Sequence, residues 1–280
     1  MNNSVRITVL VENSVHRQSL VAEHGLSFYV EFGGETFLFD TGQSDAILTN
    51  VRILRLSLDN LKAIMLSHGH YDHTGGLPAV LKAAARSQVY LHPAAFEPKF
   101  SRGPMGKTRF IGMDPATVQA LRVRPGVVAT PTWTRIREGL FVTGEIPRRT
   151  SYEDTGGAFF QDAEATRPDP LLDDQSLVID LGKSLVVLLG CAHAGVVNTL
   201  DHVRRLVPEK AIRAVIGGCH LGSASEERLE RTILHLGEAR LQCLAPLHCT
   251  GWPATARLWQ SFPKSFRPGD VGAVFEFPAD

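Results

Sequence analysis

Residues 67–77 read SHGHYDHTGGL, and a short apolar segment at 63–67, typical of a buried strand, runs straight into them. Neutral imidazole suits zinc and other transition metals, and a carboxylate adds a harder oxygen ligand. The glycines let the backbone bend where side chains must converge. A cluster of surface histidines is the alternative, but few chance sequences place this spacing behind a strand. The stretch therefore predicts a metal site built from four side chains: His68, His70, Asp72 and His73.

Three more histidines each follow an apolar, strand-like segment and lie near glycine: His193 in LGCAHAG, His220 in IGGCH and His248 in PLHCTG. One cluster cannot complete two metal shells, and loops at strand ends are where side chains are brought to one face. For any single histidine, a hydrogen-bonded core position is the more ordinary interpretation. The repeated arrangement favours the metal site, so we expect these histidines to supply the remaining ligands.

The other histidines lack this context. His92 ends a strand-like segment and is a weaker candidate for lining the site. Four histidines are interpreted as surface or packing residues: His16, His24, His202 and His235.

The composition is that of an ordinary globular protein. The 280 residues are 44% hydrophobic and 21% charged, with 29 basic and 29 acidic side chains. A neutral chain lacks the basic footprint of a nucleic-acid-binding protein, so we expect no nucleic-acid partner. The four cysteines form no Cys-x-x-Cys pair, the N-terminus lacks a signal-peptide core, and no apolar run is long enough to cross a bilayer. We therefore predict a cytoplasmic protein without membrane contact; the sequence carries no signal for an oligomeric state.

Apolar alternation and turn residues divide the chain into strands and helices typical of one α/β domain over residues 1–280. Two stretches near 97–116 and 146–174 interrupt the pattern; they are rich in glycine, proline and charge, and we expect functional loops there. Residues 120–144 are strand-like. The other predicted strands are 5–11, 26–32, 36–39, 63–67, 88–92, 176–181, 184–189, 211–216 and 241–247, and the predicted helices are 44–56, 77–86, 194–206 and 226–236.

The stretch at 67–77 resembles the signature of the metallo-β-lactamase fold superfamily. Further blocks are similar to a narrower branch, named for 7,8-dihydropterin-6-methyl-4-(β-D-ribofuranosyl)aminobenzene-5'-phosphate synthase. The resemblance implies an α/β fold, an αββα sandwich of two mixed β-sheets flanked by helices, with one or two metal ions at one edge. The blocks are FDTG at 39–42, GCAHAG at 190–195, GGCHL at 217–221 and PLHCTG at 246–251.

The same resemblance implies the metals and their ligands. Two divalent ions are expected, zinc by default, with iron and manganese as alternatives that accept the same donors. The implied ligands are His68 and His70 for the first ion, Asp72 and His73 for the second, and His193 and His248 as later ligands.

One position departs from the pattern of this family. Many members carry an aspartate that bridges the two ions at the end of a strand. The comparable strand end here offers Cys191 and His193, with His220 on the next strand, and the sequence does not select among them. Asp40 is expected to support the ligands from behind, or simply to cap the turn before the next helix.

Together these residues predict a metal-dependent hydrolase that uses a metal-bound hydroxide on a small anionic substrate, with a phosphoester or phosphodiester as the leading class. Asp72 would bind metal and orient the nucleophile, and His220 would stabilise developing charge or protonate the leaving group. Basic side chains in the first loop favour an anionic substrate, although solvated loop charges are equally ordinary. These side chains are Arg102, Lys107 and Arg109.

Other classes of function compete with this one. The branch resemblance favours a pterin-related enzyme that forms or cleaves a carbon–nitrogen bond. An iron-dependent redox enzyme of the same fold is a third candidate; a flavin-linked version is not expected, because nothing after residue 280 supplies a flavin domain. A non-enzymatic metal-binding protein ranks last, because the first cluster is intact.

Overall fold

A computed structural model describes residues 3–280, and two large β-sheets form its centre. The strands of the first sheet are β1 (Val5–Val11), β2 (Ser27–Phe32), β3 (Glu35–Phe39), β4 (Leu61–Met65), β5 (Gln88–Leu91), β8 (Val127–Ala129) and β16 (Val274–Phe277). They lie in the order β16-β1-β2-β3-β4-β5-β8. The sheet is antiparallel from β16 to β3 and parallel from β3 to β8.

The second sheet is also mixed. Its strands are β9 (Thr134–Arg137), β10 (Leu140–Val142), β12 (Leu177–Asp180), β13 (Ser184–Leu189), β14 (Ala211–Gly218) and β15 (Cys243–Leu247). They lie in the order β15-β14-β13-β12-β10-β9, with β13, β14 and β15 parallel. One buried core joins the two sheets; Phe28 and Phe39 of the first sheet belong to it together with Val186 and Leu188 of the second.

Helices cover the outer face of each sheet. Ile47, Val80 and Leu121 pack on the first sheet, and Leu200 and Leu229 pack on the second, which gives each face its own buried core. The predicted αββα sandwich is confirmed. Within residues 3–280 no helix is both long and apolar enough to cross a membrane. The helices are α1 (Ala46–Ile53), α2 (Tyr71–Thr74), α3 (Leu77–Ala83), α4 (Pro115–Val123), α5 (Val196–Leu206), α6 (Glu226–Glu238) and α7 (Trp252–Ser261), with 3₁₀ turns at Pro93–Phe96 and His248–Thr250.

The two stretches predicted as loops contain a third, small sheet. Strands β6 (Phe100–Arg102) and β7 (Thr108–Phe110) form a hairpin, and β11 (Phe159–Phe160) pairs with β6. Each strand is too short to show an alternating pattern, so the local sequence gave no signal for them. The first stretch forms the hairpin by itself, whereas β11 pairs with β6, a strand of the other stretch, so this pairing ties the two stretches, or insertions, together.

Two further elements differ from the prediction. Helix α4 occupies residues expected to be loop and then strand; Asp114 caps it by accepting a hydrogen bond from the backbone nitrogen of Thr117 at 3.0 Å, and Pro115 stands in its first turn. The C-terminal pair α7 and β16 was not predicted.

The parallel strands deliver the candidate site residues to one edge of the sandwich. Asp40 follows β3 and Ser67 follows β4 in the first sheet, while Cys191, His220 and His248 follow β13, β14 and β15 in the second. Because the carboxyl ends of parallel strands meet at the same edge, residues far apart in the chain converge there.

Candidate metal centre

The histidine stretch leaves β4 and turns directly into α2. Glycine is required in this turn: a Cβ on Gly69 would lie 2.4 Å from the carbonyl oxygen of Ala95, and one on Gly75 would lie 2.1 Å from that of Gln43. The turn is therefore pressed against neighbouring backbone, which fixes the directions of the side chains that it carries.

One group of metal donors consists of three buried histidines, His68, His70 and His193, whose donor nitrogens lie within 4.8 Å of one another. The Nε2 of His68 is 2.9 Å from Nδ1 of His70. The Nδ1 of His193 lies 2.8 Å from the carbonyl oxygen of Thr155, so the second insertion fixes this ring from behind. The three rings come from both sheets, which makes the group a product of the sandwich rather than of one loop.

A second donor group surrounds Asp72. Its Oδ2 lies 3.4 Å from Nε2 of His248, 3.1 Å from Nε2 of His24 and 3.9 Å from Nε2 of His73. The other ring nitrogen of His248 is 2.8 Å from Oδ1 of Asn13. His24 lies at the surface, as interpreted from the sequence, but its half-exposed side chain also reaches Asp72, which the sequence did not indicate. The loop after β1 carries it there, and no strand-then-glycine pattern marks it.

His73 and Cys191 lie between these two groups. The Nε2 of His73 is 3.1 Å from Sγ of Cys191, and its Nδ1 is 2.7 Å from Oδ2 of Asp40. Asp40 also accepts hydrogen bonds from the backbone nitrogen and the hydroxyl of Ser67, each at 2.7 Å. Asp40 thus contacts both the ring of His73 and the start of the histidine stretch, which is the position from which it would support a ligand.

Burial and local charge set the protonation of these side chains. Burial lowers the pKa of His70 to about 3 and the pKa of His193 well below its ordinary value, so both rings are neutral. Burial alone would raise the pKa of Asp72, but His73 and hydrogen bonds from His24 and His248 hold that pKa well below its usual range. His70 and His193 are therefore neutral and Asp72 is ionised, which are the forms of these side chains that bind metal.

Three buried ring nitrogens have no hydrogen-bond partner within residues 3–280: Nε2 of His70 and His193, and Nδ1 of His220. An unpartnered buried polar atom costs free energy, and a bound cation would supply the missing partner. Donor type, spacing and unpartnered nitrogens all fit a metal centre.

Four strand ends at the site turn through left-handed backbone without glycine. The φ angles are 62° at Asp40, 51° at Ala192, 45° at His220 and 50° at His248. This conformation costs a residue with a Cβ on the order of 1 kcal/mol, and such strain concentrates at functional sites. The surrounding structure holds it here, which is further support for a functional edge.

The family model of the metallo-beta-lactamase superfamily matches residues 20–215. The chain belongs to the metallo-β-lactamase superfamily. Members of this superfamily bind metals. Most of the donor residues above lie inside the matched region, and the others, such as His248, come after it in the sequence.

Two relatives match nearly the whole chain. The 7,8-dihydropterin-6-methyl-4-(beta-D-ribofuranosyl)-aminobenzene-5'-phosphate synthase of Methanocaldococcus jannaschii is 28% identical, over 98% of this chain and 97% of its own length. The crystal structure of Tm1679, a metal-dependent hydrolase of the β-lactamase superfamily, is 32% identical with a TM-score of 0.83, over 98% of this chain and 99% of that one. A third structure, the metallo-β-lactamase fold protein YhfI from Bacillus subtilis, has a TM-score of 0.61 at 15% identity over 98% and 99%, and shares the fold.

A cavity of about 140 Å³ opens above the donor groups. Of the three basic residues suggested for substrate binding, Arg109 lines it, while Arg102 and Lys107 are exposed elsewhere on the β6–β7 hairpin and do not. Arg109 lies over the ring of Tyr71, with Cζ 5.3 Å from the ring centroid. The lining residues are His24, His70, Tyr71, Asp72, Ser101, Arg109, Ile111, Phe159, Cys191, His193, His220, His248 and Cys249.

Four histidines belong to none of the donor groups. His92 accepts a hydrogen bond from the backbone nitrogen of Ala94 at 3.1 Å, which caps a 3₁₀ turn, and it is not among the cavity residues. His16 pairs with Asp270 at the surface. His235 contacts Arg204 and Asp201, and His202 is half-buried, which agrees with their interpretation as surface or packing residues.

Besides His24, sequence reasoning missed Phe159 and Thr155. Phe159 packs its ring 5.3 Å from that of His70 and 5.2 Å from that of His193, and it forms an apolar wall of the cavity. Thr155 contributes only its carbonyl oxygen, which no residue type can signal. Phe159 and Phe160 are adjacent phenylalanines in the sequence, but the role of Phe159 depends on the small sheet, which the sequence did not reveal.

Proposed function

We propose that the protein is a metal-dependent hydrolase that acts on a phosphoester of a small molecule through two divalent ions, with zinc as the default metal. The observation that carries this proposal is the pair of donor groups, one of three histidines and one around Asp72, beneath a single cavity. Two divalent metals at such a centre lower the pKa of a bound water to about 7 and hold a substrate oxygen.

The proposed roles of the residues extend those that the family resemblance implies. Among the donor groups found within residues 3–280, Asp72 supplies the carboxylate, and the other donors are histidines and cysteines. Asp72 would therefore both bind a cation and accept a hydrogen bond from the attacking water. Asp40 would hold the ring of His73 in place. The first ion would be held by His68, His70 and His193, and the second by Asp72, His73 and His248.

The walls of the cavity support a small anionic substrate. Arg109 presents a guanidinium at the rim, and guanidinium binds phosphate in a bidentate manner. Phe159 offers an apolar face to the rest of the molecule. The volume of about 140 Å³ suits a small molecule rather than a nucleic-acid strand. The similar synthase has a phosphate in its printed product name, and the similar structure is described as a metal-dependent hydrolase.

His220 is the candidate for handling the leaving group. Its ring lies 4.4 Å from that of His193, and it lines the cavity while remaining partly exposed. From this position it would protonate the leaving-group oxygen or stabilise charge on the phosphoryl oxygens.

A second candidate is a pterin-related enzyme that forms or cleaves a carbon–nitrogen bond. The near full-length similarity to the dihydropterin synthase favours it, and Phe159 would stack on a flat ring. Product analysis with a dihydropterin and a phosphorylated ribosyl compound separates it from the hydrolase.

The test is metal content together with turnover of a generic phosphodiester, bis(4-nitrophenyl) phosphate, before and after chelation. We expect about two ions per chain and chelator-sensitive turnover. His70→Ala should abolish that turnover, while His16→Ala, a surface control, should leave it intact. Two bound zinc ions without phosphoester hydrolysis would contradict the hydrolase proposal and favour the pterin-related enzyme. One iron per chain would instead favour a redox enzyme.

A further inference from the structure

Cys191 takes part in more of the donor groups than any other side chain within residues 3–280. Its Sγ groups with His68 and His73, with His193 and His220, and again with His248 and Cys249, all donor atoms within 4.8 Å in each group. Of these partners, His68 and His193 are proposed ligands of the first ion, and His73 and His248 are proposed ligands of the second. Cys191 therefore lies where the shells of the two ions would meet.

The backbone at the end of β13 is built to put a side chain there. A Cβ on Gly190 would lie 2.1 Å from Oγ of Ser67, so glycine lets this strand end press against the end of β4. A Cβ on Gly218 would lie 3.3 Å from Cα of Cys191 and 2.6 Å from Sγ of Cys249, so the end of β14 packs equally closely on the other side. Ala192 then reverses the chain through its positive φ of 51°, which brings His193 back toward the same centre.

We propose that Cys191 is the shared ligand: its thiol releases the proton to solvent on metal loading, and the thiolate sulfur bonds to both ions. This inference rests on the proposed two-ion centre but not on the substrate. Thiolate is a soft donor, so a sulfur at the shared position favours zinc or iron over manganese and magnesium. Cys249 is the rival thiol, but it belongs to only one of the donor groups and its Sγ points to the carbonyl oxygen of Cys191 at 3.7 Å.

The decisive measurement is zinc X-ray absorption spectroscopy on the full chain loaded with zinc. A shared thiolate gives about one sulfur neighbour per zinc at about 2.3 Å when both positions are filled, whereas a sulfur bound to one ion alone gives about half of one. Absence of sulfur, or the half value, overturns the proposal. The phosphodiesterase assay reports on the proposed function separately, because sulfur ligation and turnover fail independently.

Variants identify which thiol is responsible. Cys191→Ser should remove the sulfur signal and weaken binding of the second zinc by more than about 100-fold, since even contacts behind a ligand are worth about 10- to 100-fold. Cys191→Asp should lose the sulfur signal but regain the second ion, with manganese now competing more strongly with zinc, which shows that loss of sulfur is not loss of fold. Cys249→Ser and the core control Cys243→Ser should keep the sulfur signal. Its loss in Cys249→Ser with retention in Cys191→Ser would overturn the assignment.

Discussion

Oδ2 of Asp40 lies 2.7 Å from Nδ1 of His73, and both side chains are completely buried. The contact joins the end of β3 to the histidine stretch after β4. It leaves Nε2 of His73 directed at Cys191. Burial alone would lower the pKa of His73, but Asp40 and Asp72 raise it to about 9 in the metal-free protein, so metal binding must displace a proton from this ring.

Replacing Asp40 by asparagine tests the value of that contact. Asp40→Asn keeps the shape but removes the charge that orients the ring and raises its basicity, and we expect zinc affinity to fall about 10- to 100-fold. Competition against a chromophoric chelator measures the change. Unaltered affinity in a folded Asp40→Asn protein would show that the contact serves only the turn before α1.

His24 was overlooked in the sequence, and its contact with Asp72 predicts a measurable role. His24→Ala removes the partner 3.1 Å from Oδ2 of Asp72, so we expect affinity for the more weakly bound zinc to fall about 10-fold. The matched control is His16→Ala, because His16 pairs with Asp270 at the surface. Zinc titration by calorimetry distinguishes the two, and equal affinities in both variants would contradict the role of His24.

Gly156 and Gly106 form a matched pair that isolates a steric contact with His220. Both have positive φ, +83° and +76°, but a Cβ on Gly156 would lie 2.0 Å from Cδ2 of His220, whereas a Cβ on Gly106 meets nothing within 4 Å. Each alanine variant should lose about 1 kcal/mol of stability from backbone strain. Only Gly156→Ala should also displace His220 and reduce turnover; equal turnover in Gly156→Ala and Gly106→Ala would argue against His220.

Lys99 is buried between two carboxylates and ties both insertions to the histidine stretch. Its Nζ lies 3.0 Å from Asp169 and 2.8 Å from Asp173, and Asp173 accepts a hydrogen bond from the backbone nitrogen of Gly69. Lys99→Met would leave two buried carboxylates unpaired, so we expect a loss of about 3–5 kcal/mol in the free energy of unfolding. Denaturant titration measures it, with exposed Lys107→Met as the control expected to change stability by less than about 0.5 kcal/mol.

Two neighbouring carboxylates should affect stability with opposite pH dependence. Burial raises the pKa of Asp174 to about 7, above the value near 4 of an unfolded chain, so its contribution is full below about pH 4 and is lost as pH rises through about 7. Burial alone would raise the pKa of Asp173, but Lys99 outweighs it and lowers that pKa; this contribution is present above about pH 4 and is lost as pH falls.

Asparagine variants separate these two effects. At pH 8, in the presence of a chelator, Asp174→Asn should be more stable than the natural protein and Asp173→Asn less stable. The advantage of Asp174→Asn should shrink toward pH 4. Thermal unfolding across this pH range is the measurement, and the same sign of change in both variants at pH 8 would contradict the assignment.

Much of the fold was predictable because it is encoded locally. Strands β1, β3, β13 and the hairpin of β12 with β13 follow from alternating or continuous apolar residues bounded by turn residues. The small sheet was not predictable, because strands as short as Phe159–Phe160 form only when a partner from another stretch supplies their hydrogen bonds. Helix α4 was hidden for a related reason: its capping residue Asp114 lies within a stretch rich in glycine and proline.

The sequence by itself determined the superfamily and the first group of candidate metal ligands, since His68, His70, Asp72 and His73 lie within six consecutive residues and packing cannot move them far apart. Only the tertiary structure decided which distant residues join them. The loop after β1 brings His24 to Asp72, and the second insertion brings the carbonyl oxygen of Thr155 to His193. Contacts between distant segments depend on the packing of the whole sandwich, and no local spacing records them.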